Sequence, residues 1–196
     1  MSNKIPGMSF LFDIAGKIED FSGVFEECSF LEVLDEGELD TSNASYMRGM
    51  FSQCINLKSI PKLNTKHVLD MKYMFYKCIS LTTIPCLDTK SVTDMTGMFH
   101  SCYSLKSVPA MNVSNVKFMS GMFGACRALE TIDMYGMKTS FDLHWSTKLS
   151  TEEINKIFRN CGQASKYATI TLPDTKQARA ADVSIVEDKG WKVDFK

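Results

Sequence analysis

Apolar residues recur along this chain at a fixed period of 24 residues. Four cysteines show the period most simply, because Cys54, Cys78, Cys102 and Cys126 are each 24 residues apart. A Phe precedes each of these cysteines by three residues, a Met precedes each Phe, and a Leu follows each cysteine by three residues. Self-similarity at one fixed period is the sequence signature of a repeat architecture. The chain therefore predicts an array of small stacked units.

Two weaker copies flank the four regular units. Residues 18–31 repeat the apolar columns 26 residues before the next copy, and residues 154–161 repeat them 35 residues after the last regular one. The longer second spacing indicates an insertion over residues 136–149. The flanking copies keep Ile18, Phe21, Val24, Phe25, Cys28 and Leu31 at one end and Ile154, Ile157, Phe158 and Cys161 at the other.

Within a unit, the spacing of apolar residues predicts a short helix followed by a short strand. In residues 68–78 the apolar positions are spaced 3, 3, 1 and 3, which places them on one face of a helix. The stretch 81–85 that follows is extended and closes on a Pro, which cannot donate to a strand ladder. One such unit cannot bury its apolar face alone. We therefore expect stacked units, one shared core and a parallel sheet along one side.

The C-terminal part shows different signals. The sequence Ser150-Thr-Glu-Glu is a capping box that opens a helix over residues 151–160. Residues 168–172 are β-branched and strand-like, a helix is expected from Asp174 or Thr175 to about Asp188, and residues 191–195 form a last strand. The expected division is an N-terminal segment or cap at 1–17, about six units over 18–172, and a C-terminal cap at 173–196.

The repeat resembles a known family. Residues 88–99 read Asp-Thr-Lys-Ser-Val-Thr-Asp-Met-Thr-Gly-Met-Phe and are followed by His-Ser-Cys-Tyr-Ser-Leu. This pattern is similar to the Met-Phe-rich branch of the BspA-like leucine-rich repeats of bacterial surface proteins. The resemblance covers residues 18–172. It implies an α/β fold: a right-handed leucine-rich-repeat solenoid with repeats of about 24 residues, short parallel strands plus short helices, and a strand–helix–strand C-terminal cap.

The family resemblance also bears on location and function. Such repeats occur in cell-surface adhesins, gut-bacterial lipoproteins and tail proteins of phages, so the resemblance implies a cell-surface, extracellular or virion location. The first 20 residues show no signal peptide, which fits a phage-encoded protein or a fragment. The family has no catalytic residues to carry over to this chain.

Composition excludes several kinds of partner and cofactor. The formal net charge is −1, which argues against nucleic acid, whose binding relies on clustered cations. No apolar run is long enough for membrane insertion. The seven cysteines include no C-x-x-C pair and the three histidines occupy no repeat column, so we expect no metal or other cofactor. Most of the cysteines are expected to be buried thiols, and Cys86 is the best candidate for an exposed one.

A polar column accompanies the apolar ones. Asp40, Asn64, Asp88 and Asn112 stand one period apart. A stacked ladder of Asp and Asn side chains can bind calcium, but the glycine-rich pattern of such sites is missing from this sequence. Capping of an internal turn is the better interpretation of the column.

Variable positions supply the candidate binding residues. Aromatic side chains beside polar ones suit recognition of a protein or a sugar. We predict a non-enzymatic recognition module that binds protein or glycan, adhesin-like or similar to a phage receptor-binding protein. The alternative is a structural spacer or assembly domain of a larger particle, and an enzyme would need a pocket that holds a thiol beside a base. The candidate residues are Lys62, Tyr73, Tyr76, Thr83, His100, Tyr103 and Arg127.

Overall fold

The structure of the protein is a computed structural model that describes residues 15–34 and 39–196. Most of the predicted N-terminal segment, residues 1–14, therefore lies outside the described residues. The regular elements are few and short. They are a 3-10 turn at Ala15–Lys17, strands β1 (Ser107–Asn112), β2 (Thr131–Tyr135), β3 (Phe141–Asp142), β4 (Thr169–Leu172) and β5 (Lys192–Phe195), and helices α1 (Thr151–Asn160), α2 (Lys176–Arg179) and α3 (Ser184–Glu187).

Five turn segments stand where the sequence predicts a short helix in each unit, so that prediction is wrong. In the second segment the N–H of Met50 donates to the Met47 carbonyl of the same segment, at 3.3 Å. The next N–H, that of Phe51, donates to the Met74 carbonyl of the following segment, at 2.9 Å. An α-helix directs every N–H along its own axis and could not form this second kind of bond. The turn segments are residues 21–28, 47–54, 71–78, 95–102 and 119–126.

A left-handed residue at every fourth position makes this alternation possible. In the second segment these residues are Gly49, with φ of 60°, and Gln53, with φ of 62°. The first position of the pair is a Gly in four of the five segments, which suits a conformation that a side chain disfavours. The helix-like spacing of the Met and Phe columns arises because a chain of tight turns also returns to the same side every three or four residues.

The Phe and Cys columns form the centre of the stack. Neighbouring rings from Phe25 to Phe123 are stacked, with centroids 5.3 to 5.9 Å apart. Four thiols donate to a Phe carbonyl one segment earlier, those of Cys54, Cys78, Cys102 and Cys126. The Cys54 Sγ, for example, lies 2.9 Å from the Phe25 carbonyl. Burial raises the pKa of Cys54 and Cys126 to about 12. The expected buried thiols are confirmed in five cases, and Cys86 is exposed as predicted.

Parallel strands form in only part of the stack. Strand β1 pairs with β2, and its register shifts between Val108 and Met111, where Pro109 lies. In the earlier units Pro61 and Pro85 occupy equivalent places and remove a donor, and only isolated bridges such as Val33 to Ser59 join the units there. The predicted parallel strands are therefore short, and the continuous sheet expected along the whole array is absent from the described part of the chain.

The polar column caps turns, as predicted. The Asp88 and Asn112 side chains accept the N–H two residues later, at 3.2 and 3.0 Å. A buried Thr follows each polar residue in the first three of these units and bridges to the next unit. The Thr65 hydroxyl, for example, donates to the Asp88 carbonyl at 2.9 Å. These bonds satisfy backbone groups that would otherwise be buried without partners.

The C-terminal part continues the stack with different elements. Strands β3, β4 and β5 form a three-stranded parallel sheet, and helix α1 spans the predicted residues. Only half of the capping box forms. The Ser150 hydroxyl accepts the Glu153 N–H, but the Glu153 carboxylate accepts the Ile132 N–H of β2 instead of turning back to Ser150. The helix predicted up to about Asp188 is two short helices, α2 and α3, and Thr175 is the N-cap of α2.

Candidate functional site

A surface groove of about 570 Å³ lies across the first three turn segments, and we call it the tyrosine groove. Gly23 and Gly49, the left-handed glycines of the first two segments, are part of its lining. Since neither residue has a side chain, the backbone is open to the groove at these positions. Tyr73 and Tyr76 of the third segment also line it. The groove therefore exists where two units lack a side chain and the next unit carries a large one.

Tyr73 stands where the other four segments have Gly. Its φ is 57°, in the left-handed region that bulky side chains rarely adopt. The Tyr73 ring covers Gly97 of the fourth segment, and a Cβ added to Gly97 would overlap that ring. The Tyr76 ring meets the Tyr73 ring edge-on, with centroids 5.6 Å apart. The two tyrosines thus close the groove at the third unit, at the cost of backbone strain.

Charged and polar side chains surround the glycines and tyrosines. Glu26 and Arg48 are exposed and line the groove together with Ser22, Ser52 and Gln53. The groove therefore presents a carboxylate, a guanidinium, an amide and two hydroxyls. Taken as formal charges, Glu26 and Arg48 cancel. The lining offers both hydrogen-bond donors and hydrogen-bond acceptors without a strong net charge.

Two lysines of the third segment place their ammonium groups near the tyrosine rings. Lys72 Nζ lies 5.3 Å from the centroid of the Tyr73 ring, and Lys77 Nζ lies 5.1 Å from that of the Tyr76 ring. These are cation–π distances at exposed or half-buried positions and contribute about 0.5–1 kcal/mol each. The lysines help to hold the rings of the groove in place.

The structure brings together three of the seven residues predicted for binding. Tyr73 and Tyr76 line the groove, and the His100 ring lies 5.5 Å from the Tyr76 ring. His100 leans over Gly124 of the fifth segment much as Tyr73 covers Gly97. These three aromatic side chains form one continuous patch on the turn side of the units.

The other four predicted residues lie elsewhere. Lys62 lines a smaller groove of about 340 Å³ beside Cys86, and Thr83 accepts a hydrogen bond from the Ser107 hydroxyl at 3.2 Å. Tyr103 and Arg127 belong to a second cluster. The Arg127 guanidinium lies 5.9 Å from the Tyr103 ring centroid and 5.1 Å from that of Trp145. The predicted set therefore divides among separate surfaces.

Sequence reasoning missed several residues of these surfaces, namely Ser22, Glu26, Arg48, Ser52 and Gln53 of the groove and Trp145 of the second cluster. Glu26 and Arg48 occupy variable positions whose neighbours in space are set by the stacking, and Trp145 lies in the insertion, outside the repeat frame. One signal was available for the groove. The column Gly23, Gly49, Gly97 and Gly121 is interrupted only by a tyrosine, and an aromatic residue in a glycine column marks an exceptional unit.

The described residues show neither an activated thiol among the buried cysteines nor a cluster of metal ligands. Burial raises the pKa of Cys161 to about 12, as it does for Cys54 and Cys126, so these thiols stay protonated at neutral pH and are poor nucleophiles. Within residues 15–34 and 39–196, no three His, Cys, Asp or Glu side chains are grouped so that they could hold a metal ion. In the same ranges, no helix is both long and apolar enough to cross a membrane.

Comparisons with known proteins agree with the observed fold. The model of the family described as "Mycoplasma protein of unknown function, DUF285" matches residues 19–135 and, in a second overlapping match, residues 55–169. No curated protein matches the chain significantly. Among solved structures, the chain is similar to the leucine-rich-repeat protein of T. pallidum, with 19% sequence identity and a TM-score of 0.53. That match covers 88% of this chain and 77% of the other. It confirms the α/β leucine-rich-repeat fold.

Proposed function

The chain belongs to the family described as Mycoplasma protein of unknown function, DUF285, and we propose that it is a non-enzymatic recognition module that binds protein or glycan through the tyrosine groove. Leucine-rich-repeat folds typically serve as scaffolds for protein interaction. Their stacked units expose extended surfaces on which single variable positions can be changed without disturbing the core. The groove in this chain is built from such positions.

The observation that carries the proposal is the strained tyrosine. The first left-handed position holds Gly in four of the five segments, and only the third segment places a tyrosine there, beside the groove. The second left-handed position carries a side chain in every segment, so the exception is the bulky ring at the first position. A left-handed side chain costs about 1–2 kcal/mol, and such strain concentrates at functional sites. Gly at position 73 would avoid this cost.

The finer family assignment and the location are part of the same proposal. The Met-Phe-rich repeat supports a BspA-like right-handed solenoid exposed at a bacterial cell surface, in the extracellular space or on a virion. The proposed role is that of an adhesin or of a phage receptor-binding protein. The resemblance of residues 88–105 to that branch is the support for this assignment.

A structural role is the second candidate, and one observation favours it. Large apolar side chains remain exposed away from the tyrosine groove, among them Phe118 at 60% and Tyr167 at 84%. An exposed apolar patch of more than roughly a few hundred Å² marks a site of association, and these side chains are the candidates for such a patch. In this alternative the repeats act as a spacer or assembly domain of a larger particle and bind no ligand of their own.

The test is a binding screen against immobilised host-surface proteins and glycans. Wild-type protein, Tyr73→Gly and the matched control Tyr167→Ala are compared after each is shown to be folded and monomeric. We expect selective binding that is lost in Tyr73→Gly and kept in the control. Binding that persists in Tyr73→Gly would place the site elsewhere, and Arg127→Ala then tests the cluster around Tyr103. Folded protein that binds nothing would favour the spacer role.

A further inference from the structure

We infer that the ligand of the tyrosine groove is an uncharged oligosaccharide, held with a sugar ring against Tyr73; this inference rests on the proposed function and names its ligand class. Three features of the groove favour a carbohydrate over a polypeptide. They are the chemistry of the lining, the pairing of the backbone at the glycines and the position of the two rings.

The side chains of the lining match the hydroxyl groups of a sugar. A sugar hydroxyl both donates and accepts hydrogen bonds, and the groove offers the acceptor Glu26, the donor Arg48 and the amide of Gln53, which does both. The Gln53 amide is already oriented, since its Nε2 donates to the Glu27 carboxylate at 2.9 Å. The opposite charges of Glu26 and Arg48 cancel within the lining. The Glu27 carboxylate next to Gln53 and the ammonium groups of Lys72 and Lys77 next to the rings add charges of both signs, so a neutral ligand is the complementary one.

The backbone at the glycines is already paired and offers little to a peptide. The Gly23 N–H donates to the Arg48 carbonyl at 2.9 Å, and the Gly49 N–H donates to the Lys72 carbonyl at 2.8 Å. The carbonyls of both glycines accept bonds from residues three positions later. An extended peptide that binds by strand addition needs unpaired backbone groups along an edge. The groove meets its ligand through side chains instead.

The two tyrosines supply the apolar contact that a sugar needs. A tyrosine combines an apolar ring with a hydroxyl at its end, and the C–H face of a sugar has the same mixture of apolar and polar groups. The edge-on contact with Tyr76 and the position over Gly97 fix the Tyr73 ring before any ligand arrives. A fixed ring loses little entropy on binding. The volume of about 570 Å³ lies within the usual range of roughly 300–1,000 Å³ for ligand clefts.

The test uses an array of immobilised oligosaccharides, with neutral hexose and N-acetylhexosamine chains beside sialylated and sulfated ones. The neutral glycan bound most strongly is then titrated by calorimetry into four proteins: wild type, Tyr73→Gly, Tyr73→Phe and Tyr167→Ala. We expect Tyr73→Gly to weaken binding at least about tenfold, the step that corresponds to about 1.4 kcal/mol. Tyr73→Phe keeps the ring and should stay within about threefold of wild type, and Tyr167→Ala should match wild type.

Tyr73→Gly restores the residue that the other segments use, so its loss of binding is separable from loss of folding. Its midpoint of thermal unfolding should equal or exceed that of the wild type. Glycan binding that survives Tyr73→Gly would overturn the assignment to the groove, and a consistent preference for sialylated or sulfated chains would overturn the argument from charge.

The failure of this inference and the failure of the proposed function give different results. A host-surface protein that binds wild type but not Tyr73→Gly, with no glycan bound at all, would overturn the carbohydrate and leave the recognition module standing. A folded wild-type protein that binds neither proteins nor glycans would overturn both.

Discussion

The turn segments and helix α1 occupy equivalent places in successive units, but they pair their backbones in opposite ways. In the third segment the Phe75 N–H donates to the Met98 carbonyl of the next unit, whereas in α1 the Ile154 N–H donates to the Ser150 carbonyl of its own helix. In a turn unit the carbonyls accept bonds from N–H groups of the preceding unit, whereas in a helix they accept bonds from N–H groups of the same helix. Within the described part of the chain, the N–H groups of Gly121, Phe123 and Ala125 therefore meet no backbone carbonyl.

This difference shows what lets the stack grow and what ends it. A turn unit can follow another turn unit indefinitely because donors and acceptors match from one to the next. A helix ends this ladder, and the junction must be satisfied in another way. On the strand side, the Glu153 carboxylate of α1 accepts the Ile132 N–H of β2 at 2.7 Å and links the helix to the unit before it. Changes that act on one kind of unit and not on the other will test this comparison.

Removing one ring from each region should give the largest effect. Phe75 and Phe158 are both fully buried, but only Phe75 lies between two stacked rings, at 5.6 and 5.7 Å. Phe→Ala in a core costs about 3–5 kcal/mol, and an aromatic pair adds about 0.5–1.5 kcal/mol. Urea unfolding followed by circular dichroism should show Phe75→Ala to be the more destabilised variant. Equal losses would mean that the ring stack adds nothing to burial.

Alkaline conditions should weaken the turn segments through their thiols. Burial raises the pKa of Cys54 and Cys126 from 9.0 to about 12, so between these values the folded state keeps protons that the unfolded state has lost. The free energy of unfolding is therefore fully present below pH 9 and falls as the pH rises toward 12, by about 1.4 kcal/mol per pH unit for each such thiol.

The measurement is urea unfolding at several pH values from 7 to 11. Cys54→Ala should show a shallower fall above pH 9 than the wild type does, and the two proteins should run parallel below pH 8.5. The same slope in both proteins above pH 9 would show that this thiol is not protected from ionisation by the fold.

Glycine replacements should separate backbone strain from simple crowding. Gly97 has φ of 60° and lies under Tyr73, whereas Gly162, next to α1, has no left-handed φ and only ordinary contacts from 3.4 Å. We expect Gly97→Ala to lower the free energy of unfolding by about 2–3 kcal/mol and Gly162→Ala by less than about 1 kcal/mol. Thermal and urea unfolding check both values.

A double variant divides the cost at Gly97 into its parts. Tyr73→Gly combined with Gly97→Ala removes the ring that the new methyl group would meet, so the overlap should vanish and the cost of the left-handed backbone should remain. If the change in the free energy of unfolding of the double variant equals the sum of the changes in the two single variants, the ring does not cover Gly97 as described.

The smallest effects concern the polar links between units. Glu153→Ala leaves the buried Ile132 N–H without its acceptor and should cost about 1–2 kcal/mol. Thr89→Val removes the hydroxyl bond to the Asn112 carbonyl, at 2.8 Å, and should cost about 1 kcal/mol or less, since the next unit already carries Val113 at this position. Urea midpoints measure both. If Thr89→Val lowers the free energy of unfolding more than Glu153→Ala does, the Glu153 carboxylate contributes less to the junction at α1 than its hydrogen bond to Ile132 indicates.

Much of the fold could be predicted from the sequence. The burial of the Met, Phe, Cys, Leu and Ile columns follows from the period alone, and the bounds of α1 follow from its capping box. The conformation of the repeated segments could not be predicted in the same way. A spacing of three and four residues fits both a helix and a chain of tight turns, and the choice depends on bonds to a neighbouring unit that a single unit does not contain.

The candidate site was predicted less completely, and for a related reason. Tyr73, Tyr76 and His100 were selected as aromatic side chains at variable positions and do lie together, whereas Lys62 was selected as a variable position beside the predicted strand and lies in a separate groove. The partners Glu26 and Arg48 approach the tyrosines only after three units have stacked. The stacking of the units decides which residues of different units lie close together, because the units stack across the direction in which the chain runs.

The sequence by itself determined the period, the buried columns, the turn caps at Asp88 and its equivalents, and the ends of helix α1. These depend on interactions within a unit, or on the simple requirement that apolar columns be covered. The tertiary structure alone decided the turn conformation, the site where the ladder ends, and the groove at Tyr73. Each of these depends on hydrogen bonds or contacts between units, and the position of one unit over the next is settled only when the whole array is formed.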